Sequence, residues 1–142
     1  MILLDTTVLS YAVGEEHPLR SPCRRLLAAH AEGLVEATTT VEVVQEFAHV
    51  RARRRTRSDA IAVARNYARA FSLLVTDPED LELGLSLWGE YPALGAFDAV
   101  LAAVALNRNA EALVSADKAF GELPQLPWVE VGDRQLEVLL GS

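Results

Sequence analysis

The chain has 142 residues, 51% of them hydrophobic and 23% charged, with 13 Lys and Arg against 20 Asp and Glu for a net charge of −7. That size and composition fit one globular domain, residues 1–142, with a sizeable core; no window reaches the ~18 uncharged apolar residues of a membrane span, and no basic leader opens the chain. A single cysteine, Cys23, excludes an internal disulfide and a cysteine-cluster zinc site and suits a reducing cytoplasm.

Strand-like and helix-like segments alternate along the chain. Ile2–Leu4 reads as a short buried strand, and residues 8–13 as a helix ended by Gly14. A helix over about 19–31 stops at Gly33. Residues 34–38 read as a strand and about 40–55 as a helix. Ser58 and Asp59 are placed to cap a helix reaching Ala70. Residues 71–75 are β-like. Asp77-Pro78-Glu79 opens a helix lasting to about Glu90. Residues 97–107 are apolar nearly all round and read as a buried helix. Strands follow at Ala112–Ser115 and 128–131, then a last helical turn or two over 134–140. Alternation of this kind implies an α/β fold: a central, mainly parallel sheet with helices on both faces.

Against that pattern four acids stand in apolar company. Asp5 ends the first strand, Asp117 follows the strand of LVSAD, Asp98 opens the helix FDAVLAAVAL, and Glu46 lies on the helix after the second strand. Ligands of open parallel sheets bind beyond the carboxyl ends of the strands, so the four can meet at one edge. Clustered carboxylates repel one another, and an oxygen-only set suits a hard cation, Mg²⁺ or Mn²⁺. Each acid also has a plainer reading: Asp98 as a helix cap, Asp117 as an Asx turn, Glu46 as a solvated helix flank. Asp5 is the hardest to explain that way. Glu42 shares a helix face with Glu46, one turn earlier. Arg51, Arg53, Arg54, Arg55 and Arg57 fall within RARRRTR, which reads either as a solvated helix end or as a phosphate-contacting patch. Leu81, Leu83, Leu85, Leu87 and Trp88 crowd one helix beyond what a single core stripe requires. His17 and His30 read as ordinary surface or helix-end residues.

The ordered pieces LDTTVLSYAV, VVQEFAHV, FDAVLAAVAL and LVSADKAF resemble the PIN-domain nucleases, and among them the VapC-like toxins of bacterial toxin–antitoxin pairs, over essentially the whole chain. The resemblance implies a three-layer PIN fold and a Mg²⁺- or Mn²⁺-dependent endoribonuclease leaving a 5′-phosphate. It makes Asp5, Glu46, Asp98 and Asp117 the acidic quartet, with Asp5, Asp98 and Asp117 on the metal and Thr6 and Ser115 supporting them. It also implies a homodimer held inactive by a VapB-like antitoxin. Many relatives carry a further acid two residues after the last one, where this chain has Ala119. Three rivals share some of these features: a di-iron site built on the Glu-x-x-His spacing of Glu46 and His49, which lacks a second copy; a PIN-like module that only binds RNA or protein; and a nuclease directed at DNA or at nucleic-acid structure.

Overall fold

A computed structural model of the chain describes residues 1–132 and 134–141. Four strands form one all-parallel sheet in the order β2-β1-β3-β4: β1 (Ile2–Leu4), β2 (Ala37–Thr38), β3 (Ala112–Ser115) and β4 (Trp128–Glu130). Every residue of β1 and β3 is buried. Successive strand residues face opposite ways, so both faces of the sheet's centre are covered, as apolar runs without alternation require. The covering helices among the described residues are α1 (Thr6–Ala12), α2 (Arg20–Ala31), α3 (Val41–Arg54), α4 (Arg57–Ala70), α5 (Pro78–Glu90), α6 (Ala96–Asn107) and α7 (Arg134–Leu139). None is long and apolar enough to cross a membrane. The expected α/β architecture is therefore present.

Several boundaries differ from the sequence reading, each for a local reason. The first helix starts at Thr6, because Asp5 takes the N-cap position. The second strand shrinks to Ala37–Thr38. Gly33, at φ +76°, ends α2 in the left-handed region, and Leu34 is left 70% exposed. Residues 71–75 form no strand. They make one parallel bridge, Thr40 with Leu74, where the Leu74 N–H donates to Thr39 O and the Val41 N–H to Leu74 O. Thr56, not Ser58 or Asp59, caps α4, its hydroxyl accepting the Asp59 N–H at 3.0 Å. In α6 the run from Leu101 to Ala105 is buried, but Phe97 at its start is 73% exposed.

Helices α5 and α6 pack closely because Gly84 has no side chain. A Cβ there would lie 2.8 Å from Val100 Cα. The pair is also latched by charge. Asp77 and Asp80 form a reciprocal capping box at the start of α5. The fully buried Asp80 carboxylate further accepts Arg108 at 2.8 and 2.9 Å and Asn107 Nδ2 at 2.9 Å, both from the end of α6. Burial pushes the Asp80 carboxyl up. The hydrogen bonds from Arg108, the Asp77 backbone and Asn107 outweigh it and bring the carboxyl to about 2. A depressed carboxyl stabilises the fold above its unfolded value near 4, and that contribution is lost as pH falls through about 2. Urea titrations between pH 5 and pH 2 are therefore expected to show a loss of about 2 kcal/mol from this residue that Asp80→Asn lacks. At neutral pH, Arg108→Met should cost about 3 kcal/mol by stranding the buried charge, and Asp80→Leu combined with Arg108→Met should cost less.

Candidate active site

Asp5 leaves β1 and immediately caps α1, so one residue ends a strand and begins a helix. Its side chain is 4% exposed, and three donors meet on one oxygen, Oδ2: Ser115 Oγ at 2.7 Å, Thr7 Oγ1 at 2.9 Å and the Thr7 N–H at 3.4 Å. The two hydroxyls are aimed by the backbone after β3. Ala116 N–H donates to Thr7 Oγ1 at 3.0 Å and Asp117 N–H to Ser115 Oγ at 2.9 Å. Each hydroxyl has a single proton, and with the lone pairs engaged by these amides both protons go to Asp5. This is the compensation a buried carboxylate needs. Oδ1 accepts no hydrogen bond from the described residues.

Two of the other acids are anchored too. Asp117 Oδ1 accepts the Ala119 N–H at 2.9 Å, and Glu46 Oε2 accepts Thr6 Oγ1 at 3.1 Å; the second oxygen of Glu46 takes no hydrogen bond from the described residues, whereas the Asp117 carboxylate also pairs with the Asp98 carboxyl. Asp98 sits in the first turn of α6 but makes no capping bond; Gly95 holds the N-cap position. Burial pushes the Asp98 carboxyl up, and the charges of Asp5, Asp117 and Glu46 and a hydrogen bond with Asp117 push it further, to about 7.

Asp5, Glu46, Asp98 and Asp117 all line one cleft of about 780 Å³ at the carboxyl edge of the sheet. Glu42 does not. It accepts a hydrogen bond from Thr76 and faces a separate apolar groove of about 560 Å³, which borders the cleft and shares Glu46 and Asp98 with it. Among the described residues, no three His, Cys, Asp or Glu side chains stand close enough together to hold an ion as they are now turned. The donor set nevertheless fits a hard divalent cation. It is all oxygen, Asp5 and Glu46 each keep one oxygen unbonded by the described residues, and Asp98 reports the repulsion that a cation would relieve. His49 is exposed and lines neither cavity, so a Glu46–His49 metal pair has no support.

The arginines divide. Arg51 is tied into the wall: Nε donates to Asp59 at 2.6 Å and Nη1 to Val13 O at 2.8 Å. Arg54 and Arg55 are exposed and line the cleft; Arg53 and Arg57 are exposed and do not. Thr7 and Tyr11 are site residues the sequence reading passed over. The Thr-Thr doublet after Asp5 was the only signal for Thr7, and it does not say which threonine turns toward the acid.

The chain matches the PIN domain family over residues 2–126. It is 52% identical to Ribonuclease VapC7 of Mycobacterium tuberculosis over 146 aligned positions, spanning all of this chain and 99% of that one. Among solved structures it resembles VapBC2 from Rickettsia felis bound to a promoter DNA fragment (TM-score 0.73, 18% identity, 92% of this chain and 98% of that one). It also resembles VapC20 of Mycobacterium tuberculosis, a Sarcin-Ricin loop cleaving toxin (TM-score 0.73, 16% identity, 86% and 94%). The chain belongs to the PIN-domain family. The strand β4 lies just past the matched stretch and extends the same sheet.

A carboxyl raised by its neighbours opposes folding once it must ionise, so stability of the metal-free protein should fall as pH rises from about 4 to about 7. Asp98→Asn is expected to remove that slope and raise stability at pH 8 by about 2 kcal/mol. Thermal melts of both proteins in EDTA across this range check it; equal slopes would remove Asp98 as their source.

Proposed function

We infer that the chain is an endoribonuclease, the toxin of a toxin–antitoxin pair, and that it works with Mg²⁺ or Mn²⁺. The observation that carries this is the cleft lined by four carboxylates, three of them with one oxygen fixed by a protein donor, in a PIN-family chain. The full-length likeness to a ribonuclease supports the same substrate class.

Asp5, Asp98 and Asp117 would hold the cation, which supplies charge neutralisation at the scissile phosphate and eases deprotonation of the attacking water. The chain's own residues do the rest. Ser115 and Thr7 fix Asp5 so that one oxygen stays turned away from the protein donors. Thr6 fixes Glu46, whose second oxygen is left to orient the water. Hydrolysis breaks the bond from phosphorus to the 3′ oxygen. The water's oxygen ends on the 5′-phosphate and a proton on the 3′-hydroxyl. Arg54 and Arg55 face the same cleft and meet the RNA backbone, and single-stranded loops suit a cleft that must admit splayed bases.

The partner assignments follow the surface. Leu81, Leu85 and Trp88 stand 46–50% exposed in one stripe of α5, while Leu87 is buried. Leu81 and Leu85 themselves line a groove that runs to Glu46 and Asp98, and Trp88 stands outside its lining. We place a VapB-like antitoxin's apolar tail in that groove, with a basic side chain pairing with the acids, and a homodimer contact around the exposed Trp88, outside the groove. A reducing cytoplasm suits Cys23, a buried free thiol that burial pushes up to about 12.

Antitoxin-free protein should cleave structured RNA at a few single-stranded sites and stop in EDTA. Asp5→Ala should lose at least about a hundredfold in kcat, as should Glu46→Ala, while Glu42→Ala stays within about threefold. Wild-type rates in Asp5→Ala would end the nuclease reading, and the reverse order for the two glutamates would move the site one helical turn. Millimolar Mg²⁺ or Mn²⁺ should raise the melting temperature of wild type and much less that of Asp5→Ala. In a second experiment, Arg54→Gln with Arg55→Gln should flatten the salt dependence of RNA binding by about two units of slope at most, whereas Arg53→Gln with Arg57→Gln leaves it near wild type. Light scattering at micromolar concentration should show a dimer.

A further inference from the structure

Along the wall of the cleft, past the acids, stand two rings that the chemistry above does not use. Tyr11 closes α1, half-buried, and the exposed His17 follows in the next loop; their ring centroids are 4.6 Å apart with planes tilted by 34°. Both line the same cleft as Asp5 and Asp117. An exposed histidine is ordinarily mobile, but this one is held twice: its ring rests on Tyr11, and its Nδ1 accepts the Leu19 N–H at 3.1 Å. With Nδ1 accepting, the neutral ring carries its proton on Nε2 and presents a donor edge. The tyrosine hydroxyls of this region differ. Tyr67 gives its hydroxyl to Leu9 O at 2.7 Å, whereas the Tyr11 hydroxyl makes no hydrogen bond with the described residues.

The ground under the rings is fixed. The carbonyls ending α1 are held by Arg24 Nε on Ala12 O at 2.8 Å, Arg51 Nη1 on Val13 O at 2.8 Å and Arg20 Nη1 on Gly14 O at 3.4 Å. Tyr11 lies six residues from Asp5, about 9 Å along the helix axis, within reach of a base one or two nucleotides from a phosphate at the acids. Charge selects what this wall accepts. Glu15 and Glu16 flank the rings on the cleft and repel phosphate, so the backbone is steered to Arg54 and Arg55, and the wall with the rings is left for the uncharged base. Stacking on an aromatic face tolerates every base and costs little where the ring is already immobile.

We propose that Tyr11 and His17 form a nucleobase-stacking subsite on the wall of the acidic cleft, positioning single-stranded RNA for cleavage. This rests on the ribonuclease reading. The test uses full-length protein in an Asp98→Asn background, so that RNA stays intact, and fluorescence anisotropy with a labelled single-stranded RNA 10-mer and a scan of the same 10-mer with one abasic position. The parent is expected to lose about tenfold in affinity for the oligonucleotide lacking the stacked base. His17→Ala, whose exposed ring carries no core packing, should bind the complete RNA about five- to tenfold more weakly, bind that abasic RNA as the parent does, and be rescued by His17→Phe. Tyr11→Leu should behave as His17→Ala. In the active protein, His17→Ala should raise KM by about the factor by which it weakens binding of the complete RNA. Equal binding of the complete RNA by parent and His17→Ala, or equal weakening on complete and abasic RNA, overturns the subsite. Failure of the wild type to cleave and of the parent to bind any RNA overturns the ribonuclease reading with it, whereas cleavage indifferent to His17 overturns the subsite alone.

Discussion

Two hydroxyl protons hold the centre of this protein together. Thr7 on α1 and Ser115 at the end of β3 both donate to Asp5 Oδ2, and both are turned there by backbone amides of residues 116 and 117. The two central strands and the first helix are thereby locked at one atom. Burying an ionised carboxylate without such partners costs several kcal/mol, roughly. Three donors on one oxygen offset that cost and leave the other oxygen to the cleft. The same arrangement recurs in weaker form at Glu46 and Asp117, each anchored through one oxygen. Anchoring half of each carboxylate reconciles a rigid edge with a reactive one: the fold takes one oxygen and leaves its neighbour to chemistry.

The helix that starts at Asp5 is held equally firmly at its other end. Seven residues are too few to be stable on their own merits. Arg20 and Arg24 of α2 and Arg51 of α3 instead close the carbonyls of Ala12, at its end, and of Val13 and Gly14 just past it, where cations are favoured by the helix dipole. Arg51 is itself oriented by Asp59, so α4 takes part in fixing a wall of the cleft. A run of arginines that resembles one surface patch is thus two structures. Its first member braces the wall, and two later members, Arg54 and Arg55, face the cleft.

The sequence displayed the architecture well because its strands are short, apolar and separated by capped helices; the order of β and α elements and three of the four strands needed only small changes at their ends. It failed where tertiary contacts decide. The segment around Leu74 has β character, yet one bridge beside Thr40 exhausts its pairing. The apolar run of α6 suggested burial throughout, yet Phe97 emerges because the first turn overhangs the groove. Glu42 and Glu46 share a helical face in projection, and only the packing of α3 between two cavities separates them: Glu42 toward Thr76, Glu46 toward Thr6. Thr7 is passed over in the sequence, and His17 reads there as an ordinary surface residue, for a related reason. Their meaning lies in partners 108 residues away in one case and in a ring six residues earlier in the other. Neither relation leaves a spacing pattern.

The charge of the chain finally becomes intelligible through the two cavities. A net charge of −7 disfavours any polyanion at long range, and the cleft adds Glu15 and Glu16 to the four site acids. Attraction to RNA cannot therefore come from the field of the whole protein. On the proposed reading it is local: a cation held by the acids, two exposed arginines and stacking faces would supply it. The groove next door is apolar instead, and it meets the cleft only at Glu46 and Asp98. A ligand in the groove gains from desolvation, which the net charge does not oppose, and it reaches two of the four carboxylates without entering the cleft. Asp98 is the residue on which the two routes converge. Its neighbours disfavour its ionised form, so whatever brings positive charge to that corner, a metal from the cleft or a basic side chain from the groove, relieves the same repulsion. On the proposed reading, either occupant leaves less repulsion for the other to relieve, so the two oppose each other with no conformational change required between them.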